Sequence, residues 1–472
     1  MNIAFITCFY KTIFFKAIAD NLMNLGYNVY WISTSNKWSR WLINQGVNRQ
    51  DIIVLRRDFA NLWQVSEKDL IYLLDKFERE TKENIKTIFY MDRVVSKWEW
   101  SEARKYIIYL ITNIEYFINK NNIKVIFGEA TAIHEVLSAI ICKQKNIHFL
   151  CPHTLRIPSN RFAFFKGYLQ SDFHVIKASE EDYQYINEAL TVISKVVNEG
   201  MRPNYWHWSN SKPKYNLSMI STIFSKTIEA LTESKTDATV KPLFYHFKYE
   251  KKFLKPVRYL LANKMSIFEE PKEEKYVLYT LHKQPESSLD VLGVKYQNQI
   301  ELIKTIAMNL PHNVVLYVKE HANCLGDRPI VELKRIKQIP GVKLINPFVD
   351  IHKLIKRSEL VITVSGTVAF EAGLHNKRAV TLSKMFFNSL SSVTYLDNIN
   401  MIANYIQGKC SKSNKENKED VLALAHMLAN SFEGIISDPK SAPICMSESN
   451  IQAVSQGFIE VLKYLYKNNG EA

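Results

Sequence analysis

"ELVITVSGTVAFEAGLHNKRAV", residues 359–380, is the stretch on which the fold turns. Its β-branched run 359–364 stops at Ser365-Gly366-Thr367. A helical pattern then occupies 367–375, and "RAVTL" (378–382) reads as the next strand. A strand, a tight turn, a helix and a second strand make a parallel β-α-β unit. The N-terminus of such a helix offers unpaired N–H groups and a partial positive charge, which suits a phosphate. Ser365 and Thr367 add hydroxyl donors, Gly366 lets the backbone approach closely, and Glu371, one turn on, is placed to accept ribose hydroxyls. The plain alternative is helix capping by Ser365 or Thr367. There is no GxGxxG and no Walker A lysine, so this is not a standard dinucleotide or ATP loop.

The same grammar extends on both sides. "KYVLYTL" (275–281) reads as a strand. A helix over 297–310 would place Ile300, Ile303, Ile306, Ala307 and Leu310 on one face. "NVVLYV" (313–318) is a strand, followed by a helix near 329–338, strand 342–345 and helix 350–357. Ligands of such sheets bind beyond the carboxyl ends of the strands. Two further strand ends there are polar. "LHKQPESS" (281–288) alternates His282, Gln284 and Glu286, which share a face if extended. Lys319-Glu320-His321 puts two potential phosphate donors on one side, with Glu320 on the other. Each alone could be a loop turning away from a strand; three on one predicted rim argue for a nucleotide-phosphate pocket.

Upstream, strand 2–8, a helix near 12–25, strand 28–32, strand 51–56, helices at 66–90 and 101–120, strand 123–129, helix 131–145 and strand 147–150 describe a second array of this type. Glu129 ends a buried-looking strand and is a candidate general base or nucleophile; it could equally be a partner of the following helix dipole. Arg156 and Arg161, in "LRIPSNRF" (155–162), could grip a carboxylate bidentately or form surface ion pairs. The expected division is an N-terminal Rossmann-like lobe (1–166), a mainly helical, aromatic-rich insertion (167–274), a C-terminal Rossmann-like lobe (275–410) and closing helices (411–472, with helices at 421–433 and 449–467). Polar loops are expected at 209–216 and 412–420.

Composition sets the bounds. At 472 residues the chain is too long for one core. Its formal net charge of +14 favours anionic partners, but no nucleic-acid-binding motif accompanies it. The six cysteines are scattered and form no CxxC pair, which suits a reducing cytoplasm. The apolar start lacks a basic flank and reads as strand and helix, not a signal peptide. No uncharged run of about 18 residues is present, so any membrane contact should be peripheral. Residues 248–264, "KYEKKFLKPVRYLLANK", carry six basic residues against one acidic and could lie on an anionic membrane surface, although Pro256 interrupts a simple amphipathic helix.

"LHKQPESS", "NLPHNVVLYVKEHANCLGDR", "GVKLINP" and "ELVITVSGTVAFEAGLHNKRAV" together resemble the bacterial capsule and surface-polysaccharide biosynthesis glycosyltransferases. That group includes the Kdo transferases of capsule assembly and transferases of other CMP-activated ulosonic acids. The similarity covers roughly residues 275–385, with a fainter echo over 123–165. It implies a GT-B-like α/β fold, two Rossmann-like lobes facing a cleft, with donor on the second lobe and acceptor on the first. It implies that Lys319, His321, Ser365, Gly366, Thr367 and Glu371 hold the donor nucleotide and its phosphate. Glu129 and Glu286 are then candidate catalytic carboxylates, and Arg156, Arg161, His282 and Gln284 candidate sugar or acceptor ligands. Ala322 stands where the group has proline, which puts the loop geometry in question. The resemblance implies a CMP-sugar donor, a glycan or lipid-linked glycan acceptor, no cofactor and no metal; the cysteine usage and the basic stretch 248–264 fit a cytoplasmic protein that could sit peripherally on the inner face of the inner membrane. No DxD motif sits at a convincing strand end. The competing expectations are a UDP-hexose donor, a nucleotide-sugar epimerase of the same architecture, and a non-catalytic subunit of polysaccharide assembly or export.

Overall fold

The computed structural model describes residues 1–177, 179–203, 212–215, 217–406 and 418–469. Its central strands are short apolar runs buried on both faces, as parallel strands sandwiched by helices must be. The first sheet contains β1 (Asn2–Ile6), β2 (Asn28–Ser33), β3 (Ile52–Val54), β4 (Val125–Phe127), β5 (His148–Thr154), β6 (Arg161–Lys166) and β13 (Phe432–Glu433). Their spatial order is β13-β6-β5-β4-β1-β2-β3. The pairs from β5 to β3 are parallel; β6 runs antiparallel to both β5 and β13. The second sheet contains β7 (Tyr276–Thr280), β8 (Val315–Lys319), β9 (Val342–Ile345), β10 (Leu360–Thr363), β11 (Ala379–Thr381) and β12 (Val393–Tyr395), in the order β12-β11-β10-β7-β8-β9 and all parallel. Both are Rossmann-like α/β arrays, as the sequence pattern implies.

The chain divides into two compact units. One comprises Met1–Lys177, Ser225–Leu243 and Asn430–Ala472; the other Ala178–Phe224 and Phe244–Ala429. The core of the first is aromatic: Phe5 of β1, Phe127 of β4 and Phe164 of β6 gather around Phe458 of the helix Glu448–Asn469, with ring centroids 4.7 Å apart for Phe127–Phe458 and 4.8 Å for Phe164–Phe458. That C-terminal helix therefore caps the first sheet. The second core is aliphatic, built from Val277, Leu316, Leu344, Ile362 and Val380 beneath the helix Gln299–Met308, which contributes Leu302, Ile303 and Ile306.

Some elements differ from the sequence reading. The single helix expected over 66–90 is two, Glu67–Thr81 and Ile85–Met91, because Lys82 takes a left-handed φ of 62° and Asn84 caps a new start. The helix expected at 421–433 ends at Ala429, and Phe432–Glu433 turn into β13. Residues 155–160, which follow the expected strand 147–150, are the turn of a hairpin whose second strand, β6, the sequence reading did not expect; it is buried on the sheet. Pro256 does not break the helix Lys255–Lys264 but sits in its first turn, where no intrahelical donor is lost. Half of the loop expected at 209–216 and most of that expected at 412–420 lie outside the described residues.

Candidate active site

In the second sheet the chain runs from β7 outward to β8 and β9, then returns to the other side of β7 for β10. The crevice between β7 and β10 at their carboxyl ends is a topological switch point, where the two loops diverge and leave room for a ligand. His282, just past β7, reaches across it. The backbone N–H groups of Val364 and Ser365 donate to His282 Nε2 (3.2 and 3.4 Å), and Thr363 Oγ1 lies 3.0 Å from the same nitrogen. An imidazole nitrogen that receives N–H donors is the unprotonated one, so the Thr363 hydroxyl donates and the ring proton is on Nδ1. Thr363 Oγ1 in turn accepts the N–H of Gly366 (3.2 Å). A Cβ on Gly366 would fall 2.5 Å from that oxygen, so only glycine fits. The Ser365 hydroxyl donates to Ser288 O (2.6 Å). The helix Thr367–Leu374 starts from this fixed turn, with Gly366 as its N-cap.

Lys319 ends β8, the next strand over, in register with Thr280. Lys319 is 4% exposed, and its ammonium donates to Pro347 O (2.6 Å). Burial, reinforced by the nearby Arg202 guanidinium, pulls its pKa down to about 8. Glu320 is buried and paired with Arg328 (3.0 Å), whose Nη2 also donates to His282 O (2.6 Å). Burial raises the Glu320 carboxyl despite that partner. His321 caps a short 3-10 turn, Ala322–Cys324, its Nδ1 accepting the Asn323 N–H (3.2 Å). Its pKa is lowered by burial, so the neutral ring carries its proton on Nε2 and presents a donor there. Glu371, 7% exposed, is raised to about 7 by burial, against the pull of Arg202. Its Oε2 lies 3.3 Å from His352 Nε2, yet neither atom has a hydrogen bond of good geometry among the described residues. A buried carboxylate oxygen without a donor is poised for one.

The structure therefore brings His282, Lys319, His321, Ser365, Gly366, Thr367 and Glu371 to the carboxyl ends of three adjacent strands. Gln284 and Glu286 lie on the exposed flank of the same loop: Gln284 bonds Gln297 O and Gln299, and Glu286 accepts the Ser288 hydroxyl (2.9 Å). Arg202 and Asp350, ion-paired at 2.6 Å, and His352 belong to the cluster but escaped the sequence reading. Arg202 lies in a stretch with proline and aromatic residues, far from any strand. Asp350 and His352 look like the start of any helix, and Asp350 does cap one, accepting the His352 N–H (2.7 Å).

The first sheet repeats this logic. Its chain runs from β1 to β2 and β3, then back to β4, so its switch point lies between β1 and β4. Glu129 follows β4, and Cys8 and Lys11 follow β1. Lys11 Nζ forms an ion pair with Glu129 Oε1, and the Cys8 thiol donates to Oε2 (3.4 Å). Burial disfavours both charges, but the pairing prevails: Glu129 is held below the usual carboxylate range and Lys11 above the usual lysine range. Glu135 occupies the role of helix-start partner. It accepts the N–H groups of Glu129 (3.2 Å), Thr131 (2.7 Å) and Ala132 (3.1 Å) and the Thr131 hydroxyl (2.7 Å). Burial and the neighbouring Glu129 push Glu135 up to about 7, whereas four donors favour its anion. Beside it a small depression is lined by Thr34, Trp38 and His134 among others. Arg156 has φ 74°, is buried, and donates to Gln170 Oε1 (2.5 Å). Arg161 is buried and donates to Ser431 through Oγ (2.8 Å) and the carbonyl (3.2 Å), tying β6 to the strand beside it.

Comparison with known proteins gives a match over part of the chain. No curated protein matches. Among solved structures, UDP-GlcNAc 2-epimerase from Methanocaldococcus jannaschii shows 13% identity over 91% of this chain and 99% of its own, with a TM-score of 0.25. Thermosulfurimonas dismutans KpsC, a beta Kdo 2,7 transferase, shows 10% identity over 77% of this chain and 97% of its own, with a TM-score of 0.31. Anabaena Alr3699/HepE, in complex with UDP-glucose, shows 13% identity over 98% and 99%, with a TM-score of 0.25. Likeness at this level assigns neither substrate nor activity. The family match is different in kind, because it falls on the segment that carries the rim just described. Residues 241–409 match the sequence profile described as capsule polysaccharide biosynthesis protein.

Proposed function

We propose that the protein is a glycosyltransferase of capsule or other surface-glycan synthesis, moving an ulosonic acid such as Kdo or a sialic-acid-like sugar from a CMP donor onto a glycan acceptor. The observation that carries this reading is the switch point of the second sheet, inside the family segment, where cations and fixed N–H donors converge. Lys319 is a buried ammonium whose charge is disfavoured as it stands, so an incoming phosphate would relieve it. His321 Nε2–H and the start of the helix Thr367–Leu374 add donors for the same phosphate. Glu371 Oε2 supplies an acceptor for ribose hydroxyls. When the sugar departs, negative charge grows on the CMP phosphate, and preset cations and dipoles stabilise it with little reorganisation.

Within this reading the first unit takes the acceptor and supplies Glu129. Lys11 keeps that carboxylate ionised, which suits a base or nucleophile and not a proton donor. Glu286, exposed and engaged with Ser288, is left out of the chemistry. His282 and Arg161 act by position: one shapes the phosphate turn, the other anchors β6. Arg156 remains the candidate for the sugar carboxylate in the first unit. The test is release of CMP from a CMP-ulosonic acid. Slow hydrolysis without acceptor, accelerated by added glycan, is expected; turnover of a UDP-hexose with no release of CMP would overturn the reading.

A further inference from the structure

Helix Lys255–Lys264 has two unlike faces. Pro256, Arg258, Tyr259 and Ala262 point inward and are buried. Val257, Leu260 and Leu261 point outward, at 41%, 64% and 43% exposure, with Lys264 completing the i, i+3, i+4, i+7 stripe. Just before the helix, Phe247 and Phe253 are 59% and 41% exposed and lie 6.4 Å apart between ring centroids. Lys251 and Lys252 are exposed between them. The inward face is firmly seated on the loop that follows β8. Arg258 donates to Asp327 O (2.9 Å), Lys255 pairs with Asp327 (3.1 Å), and a Cβ on Gly326 would lie 2.1 Å from Lys255 O. The exposed stripe is thus held rigidly, on the far side of a helix that braces the His321–Arg328 loop.

We propose that this outward face docks on an anionic lipid bilayer, with Phe247, Phe253, Val257, Leu260 and Leu261 entering the headgroup boundary and Lys251, Lys252 and Lys264 meeting lipid phosphates. An apolar stripe edged by lysines is the composition of an interfacial helix. Lys248, Lys251, Lys252 and Lys264 are exposed along this segment and give the charge complementarity. A second copy of this chain fits poorly, because a two-fold contact would set the same lysines against each other. No helix among the described residues is long and apolar enough to cross a membrane, so the contact would be superficial. Such docking would present the donor loop to acceptors carried on lipid, whichever nucleotide the donor bears.

The test is sedimentation of the full chain with vesicles of phosphatidylcholine alone or mixed equally with phosphatidylglycerol. Binding only to the anionic vesicles, reversed by salt, is expected. Lys251→Gln and Lys264→Gln should each weaken it roughly fivefold. Leu260→Ser should weaken it roughly tenfold with an unchanged thermal unfolding midpoint, since the side chain is exposed. Equal binding to both vesicle types, no binding to either, or full binding by all three variants would overturn the proposal. So would a dimer in analytical ultracentrifugation that Leu260→Ser splits.

Discussion

A single imidazole shows how little local sequence reveals about role. His282 reads as one of three alternating polar residues after a strand, yet its Nε2 gathers three groups from the turn after β10. Replacing it with alanine removes the acceptor of two buried N–H groups, at a cost of about 1–3 kcal/mol before relaxation. His282→Ala should therefore lower unfolding stability, measured in urea, by about 2 kcal/mol, and weaken nucleotide binding with it. Lys319 makes a pH prediction. Its pKa in the free protein is near 8, and a bound phosphate would raise it. Below pH 8 the ammonium is already present; above it, binding must take up a proton. CMP affinity, followed by calorimetry, should then fall above pH 8, approaching about tenfold per pH unit, and Lys319→Arg should remove the dependence. Glu129 and Lys11 are a third case. The depressed carboxyl contributes stability above the unfolded carboxylate range and loses it as pH falls through its folded pKa; the raised lysine contributes below the unfolded lysine range and loses it as pH rises. Lys11→Met leaves a buried carboxylate alone, costing about 3–5 kcal/mol near neutral pH; because Glu129 then takes up a proton on acidification, the stability deficit against the parent should narrow as pH falls.

At the scale of elements, the turn and the loop that frame the site depend on two glycines. Gly366→Ala would force a methyl group against the Thr363 hydroxyl and displace the helix start. Weaker nucleotide binding with a modest loss of stability is the expected outcome, and unchanged affinity would remove this turn from the phosphate pocket. Gly326 combines φ 76° with the close approach of Lys255 O. Its alanine variant should be destabilised by at least about 1 kcal/mol, with heightened hydrogen exchange over 321–328. The parallel strands around these turns were legible because a strand buried on both faces must be apolar throughout. β6 was not, because Arg161 and Pro158 look like loop chemistry until Ser431 is seen beside the guanidinium. Likewise Arg202 and Asp350 carry no local signal: their place in the site comes from segments remote in sequence.

Over the whole molecule, the same device occurs twice. Each sheet reverses direction beside its first strand, and each reversal collects charged groups: Lys11 and Glu129 in one unit, and His282, the Ser365–Thr367 turn and Lys319 in the other. The strand-end motifs exposed that plan in the sequence, since ligands of open sheets lie at these ends whatever their chemistry. The partners that tune the groups, including Cys8, Glu135, His352 and Arg328, needed the fold. The proposed division, acceptor on the first unit and donor on the second, predicts separable defects. Glu129→Gln should abolish transfer while leaving CMP affinity intact, and His321→Ala should weaken CMP affinity, each readable by calorimetry beside a transfer assay. The most direct measurement of the central claim is a thermal-shift series with CMP, UDP and GDP on the full chain. Stabilisation by CMP, diminished in His321→Ala, is the expected result; stabilisation by UDP alone, or by no nucleotide, would contradict it.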